Sequence, residues 1–241
     1  MLINYCSILI IKSLKKRTFR IYSLLIILVL LSNHLSYSQK KTSFSVSVDP
    51  LISWFSNDNR SIDAKGSKIG ITYGITLDRF FDEKYAITSG FFMTYFGGFL
   101  NYGDTVNIKT STDTVMIPAG TRMSYNLHYL KIPLGLKLKT VDIGYKTFYF
   151  EVGMNALIRL NSKASTDNNL LNRDKIRDET RFFNLAYFVG AGLEYSLGGS
   201  TSLVGGIYYS NSLLDITSDI LNKPKDHLRS NQIVLKLGVL F

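Results

Sequence analysis

Apolar and polar residues alternate with a period of two along most of this chain. The clearest run is at its end. Ile233, Leu235, Leu237, Val239 and Phe241 share one face, and Gln232, Lys236 and Gly238 share the other. Successive side chains of a strand point to opposite sides, so this pattern predicts a strand with one apolar face. The same alternation recurs in seven earlier segments. Phe44, Val46 and Val48 alternate with serines. Ile69, Ile71, Tyr73, Ile75 and Leu77 alternate with Gly70, Thr72, Gly74, Thr76 and Asp78. Tyr85–Tyr102 is a third segment, aromatic and glycine-rich. In the fourth, Arg122–Lys139, the residues Leu130, Ile132, Leu134, Leu136 and Leu138 oppose Lys131, Pro133, Gly135, Lys137 and Lys139. Phe148, Phe150, Val152, Met154, Ala156 and Ile158 oppose Tyr149, Glu151, Gly153, Asn155 and Arg159 in the fifth. Phe183, Leu185, Tyr187, Val189, Ala191, Leu193 and Tyr195 oppose Asn184, Gly190, Gly192 and Glu194 in the sixth. Residues 200–213 are the seventh, and the terminal run is the eighth.

The connections sharpen this picture. Asp82-Glu83-Lys84, residues 140–144 and Gly198-Gly199 are short and carry tight-turn residues. Residues 56–67, 103–121, 161–180 and 212–230 are long and polar. Short and long alternate strictly. The expected fold is all-β: an eight-stranded antiparallel up-and-down transmembrane β-barrel, with short periplasmic turns, long extracellular loops and periplasmic termini. A soluble sandwich or lipocalin-like barrel uses the same period. The second face carries Asp78, Lys131, Lys137, Glu151, Arg159, Glu194 and Lys236, too many charges for a dry soluble core but compatible with the outside of a soluble barrel; the asymmetry of the loops, the terminal Phe241 and a signal peptide at the start of the chain decide for the membrane. Eight strands leave an interior that side chains can fill, so these charges predict an internal ion-pair network rather than an open pore.

Local features add finer expectations. Several segments exceed the about nine to eleven residues that a tilted strand needs to cross a bilayer, so the sheet should project beyond the outer leaflet. Tyr95, Phe96, Tyr125 and Tyr129, with Tyr149, Phe182 and Tyr195, are candidates for aromatic girdles. Pro133 predicts a bulge or an interrupted ladder. The glycines between Phe96 and Leu100 suggest curvature or a bulge.

Composition changes the picture at the beginning of the chain. Lys12, Lys15, Lys16, Arg17 and Arg20 precede an apolar run over residues 21–31, broken by Tyr22 and Ser23. Ser36-Tyr37-Ser38 then supplies small residues for a peptidase, which places a signal peptide at residues 1–38 and cleavage before Gln39. Its removal lowers the formal charge from +10 to about +5, which weakens a nucleic-acid reading. Residues 39–241 form a single domain by length. The sole cysteine, Cys6, lies in the signal and away from any lipoprotein position, so the remainder has no disulfide or thiolate site. Outside the signal no apolar run is long enough for a membrane helix.

The search for chemistry yields no catalytic, cofactor-binding or metal-ligating set, and the expected protein is not an enzyme. His128 sits on a strand among aromatics. His227, near Asp219, Asp226 and Ser230 in the last long loop, is the only material for a rim-site enzyme, and solvated loop charge accounts for it better. Gly190-Ala191-Gly192 lacks the following helix of a dinucleotide loop. The long loops are close to charge-balanced, so no single-sign patch is expected.

Residues 129–139, YLKIPLGLKLK, resemble the YLEIPLLLK hallmark of the PorT-like outer-membrane barrels of Bacteroidota. Residues 153–163, 189–195 and 206–216 resemble that family's next strands. Lys131 departs from its usual Glu, and Ser212 from its usual Gly. The resemblance implies residence in the outer membrane, with lipid and lipopolysaccharide around the barrel. It implies insertion by the barrel-assembly machinery, which reads the C-terminal strand ending at Phe241. It allows an accessory role in type IX secretion. In such bacteria Asp104-Thr105-Val106 and Asp113-Thr114-Val115 fit an O-glycosylation tripeptide. A non-enzymatic structural, assembly or secretion-accessory barrel is the first functional expectation. A small transport or ligand-binding barrel is the second.

Overall fold

A computed structural model describes residues 42–57, 62–111, 113–217 and 228–241. Eight long strands follow in chain order: β1 Thr42–Ser56, β2 Ser67–Phe80, β3 Tyr85–Tyr102, β4 Arg122–Lys139, β5 Lys146–Thr166, β6 Phe183–Gly198, β7 Thr201–Ser212 and β8 Arg229–Leu240. Each pairs antiparallel with its successor. β8 returns to β1, from Ser45↔Leu240 to Ser56↔Arg229. The ring is closed, so every long strand has a neighbour on both sides over most of its length. Phe241 extends the closure: its N–H donates to the Phe44 carbonyl at 2.7 Å, and Phe44 N–H returns the bond at 3.2 Å. The expected barrel and its alternation of short turns and long loops are therefore present. The predicted signal peptide and Cys6 lie outside the described residues.

Period two decides which side chains meet lipid. Val46, Ile52, Ile75, Leu134, Phe150, Ile207 and Leu235 all point outward and are exposed. A continuous apolar exterior of this kind suits hydrocarbon and not water. The aromatic expectation holds only in part. Tyr95, Phe182 and Tyr195 face outward, but Phe96, Tyr125, Tyr129 and Tyr149 are buried inside. Their positions share the parity of the inner face, as Phe96 does with Phe92 and Thr94.

Both prolines in the described strands sit where a ladder lapses. β3–β4 pairing passes from Ser89↔Leu134 to Phe92↔Lys131 with no change of register, so Pro133 interrupts the ladder without a bulge. On the β1–β8 seam the pairs pass from Ser47↔Gly238 to Leu51↔Val234, around Pro50. There the Leu237 N–H donates to the Asp49 carboxylate at 3.2 Å. The bulge in β4–β5 lies elsewhere: Tyr129 pairs with Arg159 and His128 with Asn161, so Leu160 is the extra residue. The glycines after Phe96 leave the β3–β4 register intact. Instead, the β2–β3 ladder ends at Ile71↔Tyr95, and the outer end of β2 stays on β1 alone.

The long connections are more ordered than polar composition suggests. β5 continues to Thr166 and is joined there by a short strand, Asn172–Lys175, inside the stretch expected to be loop. Val106–Lys109 and Thr114–Ile117 form a hairpin. Thr105, just before it, and Thr114, on it, are both exposed. The apolar core gathers at this long-loop end, where Leu100, Ile108, Ile117, Met123, Ile176 and Leu228 are fully buried.

Candidate functional site

The barrel interior is built in levels. At the short-turn end, Lys137 Nζ lies 2.7 Å from Asp78 Oδ2 and 2.8 Å from Glu194 Oε1. Lys139 Nζ reaches Glu194 Oε2 at 2.5 Å, and the Thr88 hydroxyl donates to Asp78 at 2.6 Å. Two cations thus meet two carboxylates. Charges withdrawn from water need such partners to be tolerated. Lys137 also lies over the Tyr149 ring, 4.6 Å from its centroid.

The next level holds Asp49, Glu151, Lys131 and Lys236, again two of each sign, around a cavity of about 50 Å³. The Tyr208 hydroxyl donates to Glu151 at 2.7 Å. Ser47 donates to Asp49 at 3.1 Å. Neither Lys131 nor Lys236 forms an ion pair with a described residue; their ammonium groups lie 4.8 Å from the Phe92 and 5.4 Å from the Tyr208 ring centroids. Gly190 and Gly192 make room for the tyrosines: a Cβ at Gly190 would sit 2.2 Å from the Tyr208 ring, and one at Gly192 2.3 Å from the Tyr149 hydroxyl. Their spacing answers strand packing.

The predicted ion-pair network is therefore only partly assembled. Lys137, Asp78 and Glu194 meet, while Glu151 is held by a tyrosine and Lys131 and Lys236 are not directly paired. Arg159 leaves the set altogether. At the bulge it turns to the loop, where its guanidinium donates to the carbonyls of Arg177 and Thr180 and to the Thr180 hydroxyl. Asp49 was not among the expected charges, although continuing the serine alternation of β1 puts it on the inner face.

At the long-loop end a cleft of about 600 Å³ opens on the outside of the wall, where β2 and β3 part. Lys68, Lys163 and Arg173 line it, and among the described residues no carboxylate does. Lys68 Nζ donates to Ser124 Oγ at 2.8 Å and Asn126 Oδ1 at 2.7 Å. The Ser53 hydroxyl bridges to Gly97 across the parted ladder, donating to its carbonyl at 2.7 Å. His128 stacks on Tyr95 with centroids 4.0 Å apart. The expectation of no single-sign patch fails here, because balance along the chain does not survive folding: the basic residues of three segments converge, and Asp178 turns away to Lys109 at 3.1 Å. The cleft was illegible in sequence for the same reason.

The rim-enzyme candidates His227, Asp219 and Asp226 lie outside the described residues. Ser230 is buried on β8, and its N–H donates to the Ser212 hydroxyl at 2.8 Å. Among the described residues no three His, Cys, Asp or Glu side chains gather as a metal site.

Comparison with solved structures finds similar barrels. Neisserial surface protein A is 14% identical, with 83% of this chain and 98% of that one covered at a TM-score of 0.47. The attachment invasion locus protein Ail of Yersinia pestis is 13% identical, with 83% and 99% covered at 0.41. OprG of Pseudomonas aeruginosa is 13% identical, with 84% and 97% covered at 0.40. Comparison with curated proteins by sequence finds no match. The model of one family, the outer membrane protein beta-barrel domain, matches residues 29–218, most of the closed, lipid-faced ring, and the chain belongs to that family.

Proposed function

We propose that this protein is a non-conducting, non-enzymatic outer-membrane barrel that anchors an ordered loop structure at the cell surface. Its termini are periplasmic and its long loops extracellular. It serves assembly or secretion as a structural accessory, in the manner of the PorT-like barrels of Bacteroidota that it resembles, with type IX secretion components as partners. The barrel-assembly machinery inserts it through the strand ending at Phe241.

The observation that carries this reading is closure of the lumen by an ionic level at one end and an apolar plug at the other. The cavity between them has room for a few waters, not for a nutrient. A transport role would require the plug to open.

Planar-bilayer recordings on the purified barrel test the reading. No stepwise conductance is expected from the wild type. Glu151→Ala should lower the denaturant midpoint and leave the bilayer silent. Ohmic channels from protein that is fully folded would sink it. Co-purification from outer membranes tests the accessory role separately: secretion-system components should be recovered, and their absence would remove that part of the reading.

A further inference from the structure

We propose that the cleft between the outer ends of β2 and β3 is a binding site for a phosphorylated glycolipid of the outer leaflet. The inference rests on the orientation proposed above, with the long loops outside.

Position is the first argument. The Tyr73, Tyr95 and His128 rings form a stacked series on the outer wall, with centroids 6.3 Å and 4.0 Å apart. Amphipathic rings of this kind mark the boundary between hydrocarbon and headgroup. The outward side chains of Ile69 and Ile71 are apolar and exposed beside the cleft. A ligand seated there has chains in hydrocarbon and its head at the height of Lys68, Lys163 and Arg173.

Charge is the second. Lys163 and Arg173 face the cleft without an ion pair to any described residue; Lys68, whose ammonium donates to Ser124, Asn126 and the Tyr125 carbonyl, adds its charge to the wall, and the described lining includes no acid. Phosphate is the anion that a guanidinium and neighbouring ammonium groups hold best, by charge-assisted hydrogen bonds. Hydrogen-bonding demand is the third. His128 Nε2 and Asn161 Oδ1, both in the lining, find no partner among the described residues. A carboxamide oxygen takes a hydroxyl donor, and sugar hydroxyls supply one. Three cations and two unpartnered polar atoms along one cleft match a head with two phosphates and several hydroxyls better than the single phosphate of a glycerophospholipid.

The experiment uses the full chain folded in detergent micelles. Its probes are diphosphorylated lipid A, the same lipid with its phosphates removed, and phosphatidylglycerol. Native mass spectrometry and a thermal-shift series read the binding. Lipid A should bind one to one and raise the unfolding temperature. Removing its phosphates, or introducing Lys163→Gln with Arg173→Gln, should weaken binding by about tenfold or more. Heat-modifiable gel mobility reports folding of the variant. Should it misfold, a photo-reactive residue at Tyr95 in the otherwise native chain must still crosslink lipid A, and must fail to crosslink phosphatidylglycerol. Equal binding of phosphatidylglycerol, or unchanged binding by the folded double variant, would overturn the site. Orientation is read independently by labelling a cysteine placed at Thr105 on intact cells. Loss of that label with lipid A binding retained would overturn the orientation and the outer-leaflet assignment, and leave the cleft as a lipid A site in micelles.

Discussion

Strand β4 runs through two regions built on opposite rules. From Leu130 to Leu138 its even-numbered positions are apolar and point outward, and Lys131, Lys137 and Lys139 point in. From Arg122 to Leu127 the pattern inverts: Met123, Tyr125 and Leu127 are buried inside, and Arg122, Ser124 and Asn126 face out. The backbone keeps its parity throughout, so what changes is the solvent. Where hydrocarbon surrounds the wall, the apolar side chains belong outside and the lumen must be held by complementary charge. Beyond the bilayer, water surrounds the wall and the hydrophobic effect again fills the inside. Leu130–Leu138 spans nine residues. At about 3.3 Å per residue and a tilt of about 40°, that gives roughly 20–25 Å of height, close to the apolar band of an outer-membrane barrel.

Three substitutions test this contrast. Lys137→Met should have the largest effect. It leaves Asp78 in the lumen without a cation and Glu194 with Lys139 alone, and denaturant unfolding in micelles should register a loss of about 3–5 kcal/mol. Adding Asp78→Asn, which keeps the Lys139–Glu194 pair, should recover most of it; no recovery would mean that packing, not charge, sets the loss. Leu100→Ala removes buried hydrocarbon from the plug. It should cost about 2–4 kcal/mol and should loosen the long loops to proteolysis before the barrel melts. Simultaneous loss of loops and barrel would show that the two regions are one cooperative unit. Lys65→Ala breaks the 2.5 Å pair with Asp63, which is exposed to water. It should change stability by at most about 1 kcal/mol. A loss equal to that of Lys137→Met would erase the distinction between the two environments.

Much of this was legible in the chain. Strand parity exposed the lipid face, and the spacing of turns gave the up-and-down topology. The inversion was also written in the sequence: apolar residues fall on odd positions up to Tyr129 and on even positions from Leu130. Tyr125 and Tyr129 fall in the inverted part, which is why they line the inside and form no outer girdle. Convergence in space stayed hidden. Lys68, Lys163 and Arg173 come from three segments, and no spacing along the chain foretells that they share one cleft. The partial pairing of the inner charges was equally hidden, because side-chain reach and tyrosine competition decide it.

The β1–β8 seam carries a last consequence. Asp49 takes a backbone donor of β8 in place of a ladder carbonyl, and it is also half of the negative charge around the central cavity. An open sheet, with β1 and β8 apart, would leave Lys236 on one edge and Asp49 on the other. Completing the ring and neutralising its contents are then a single event. A nascent barrel that stops short of closure keeps Asp49 and Lys236 apart, so the last seam to zip is also the one that brings opposite charges together.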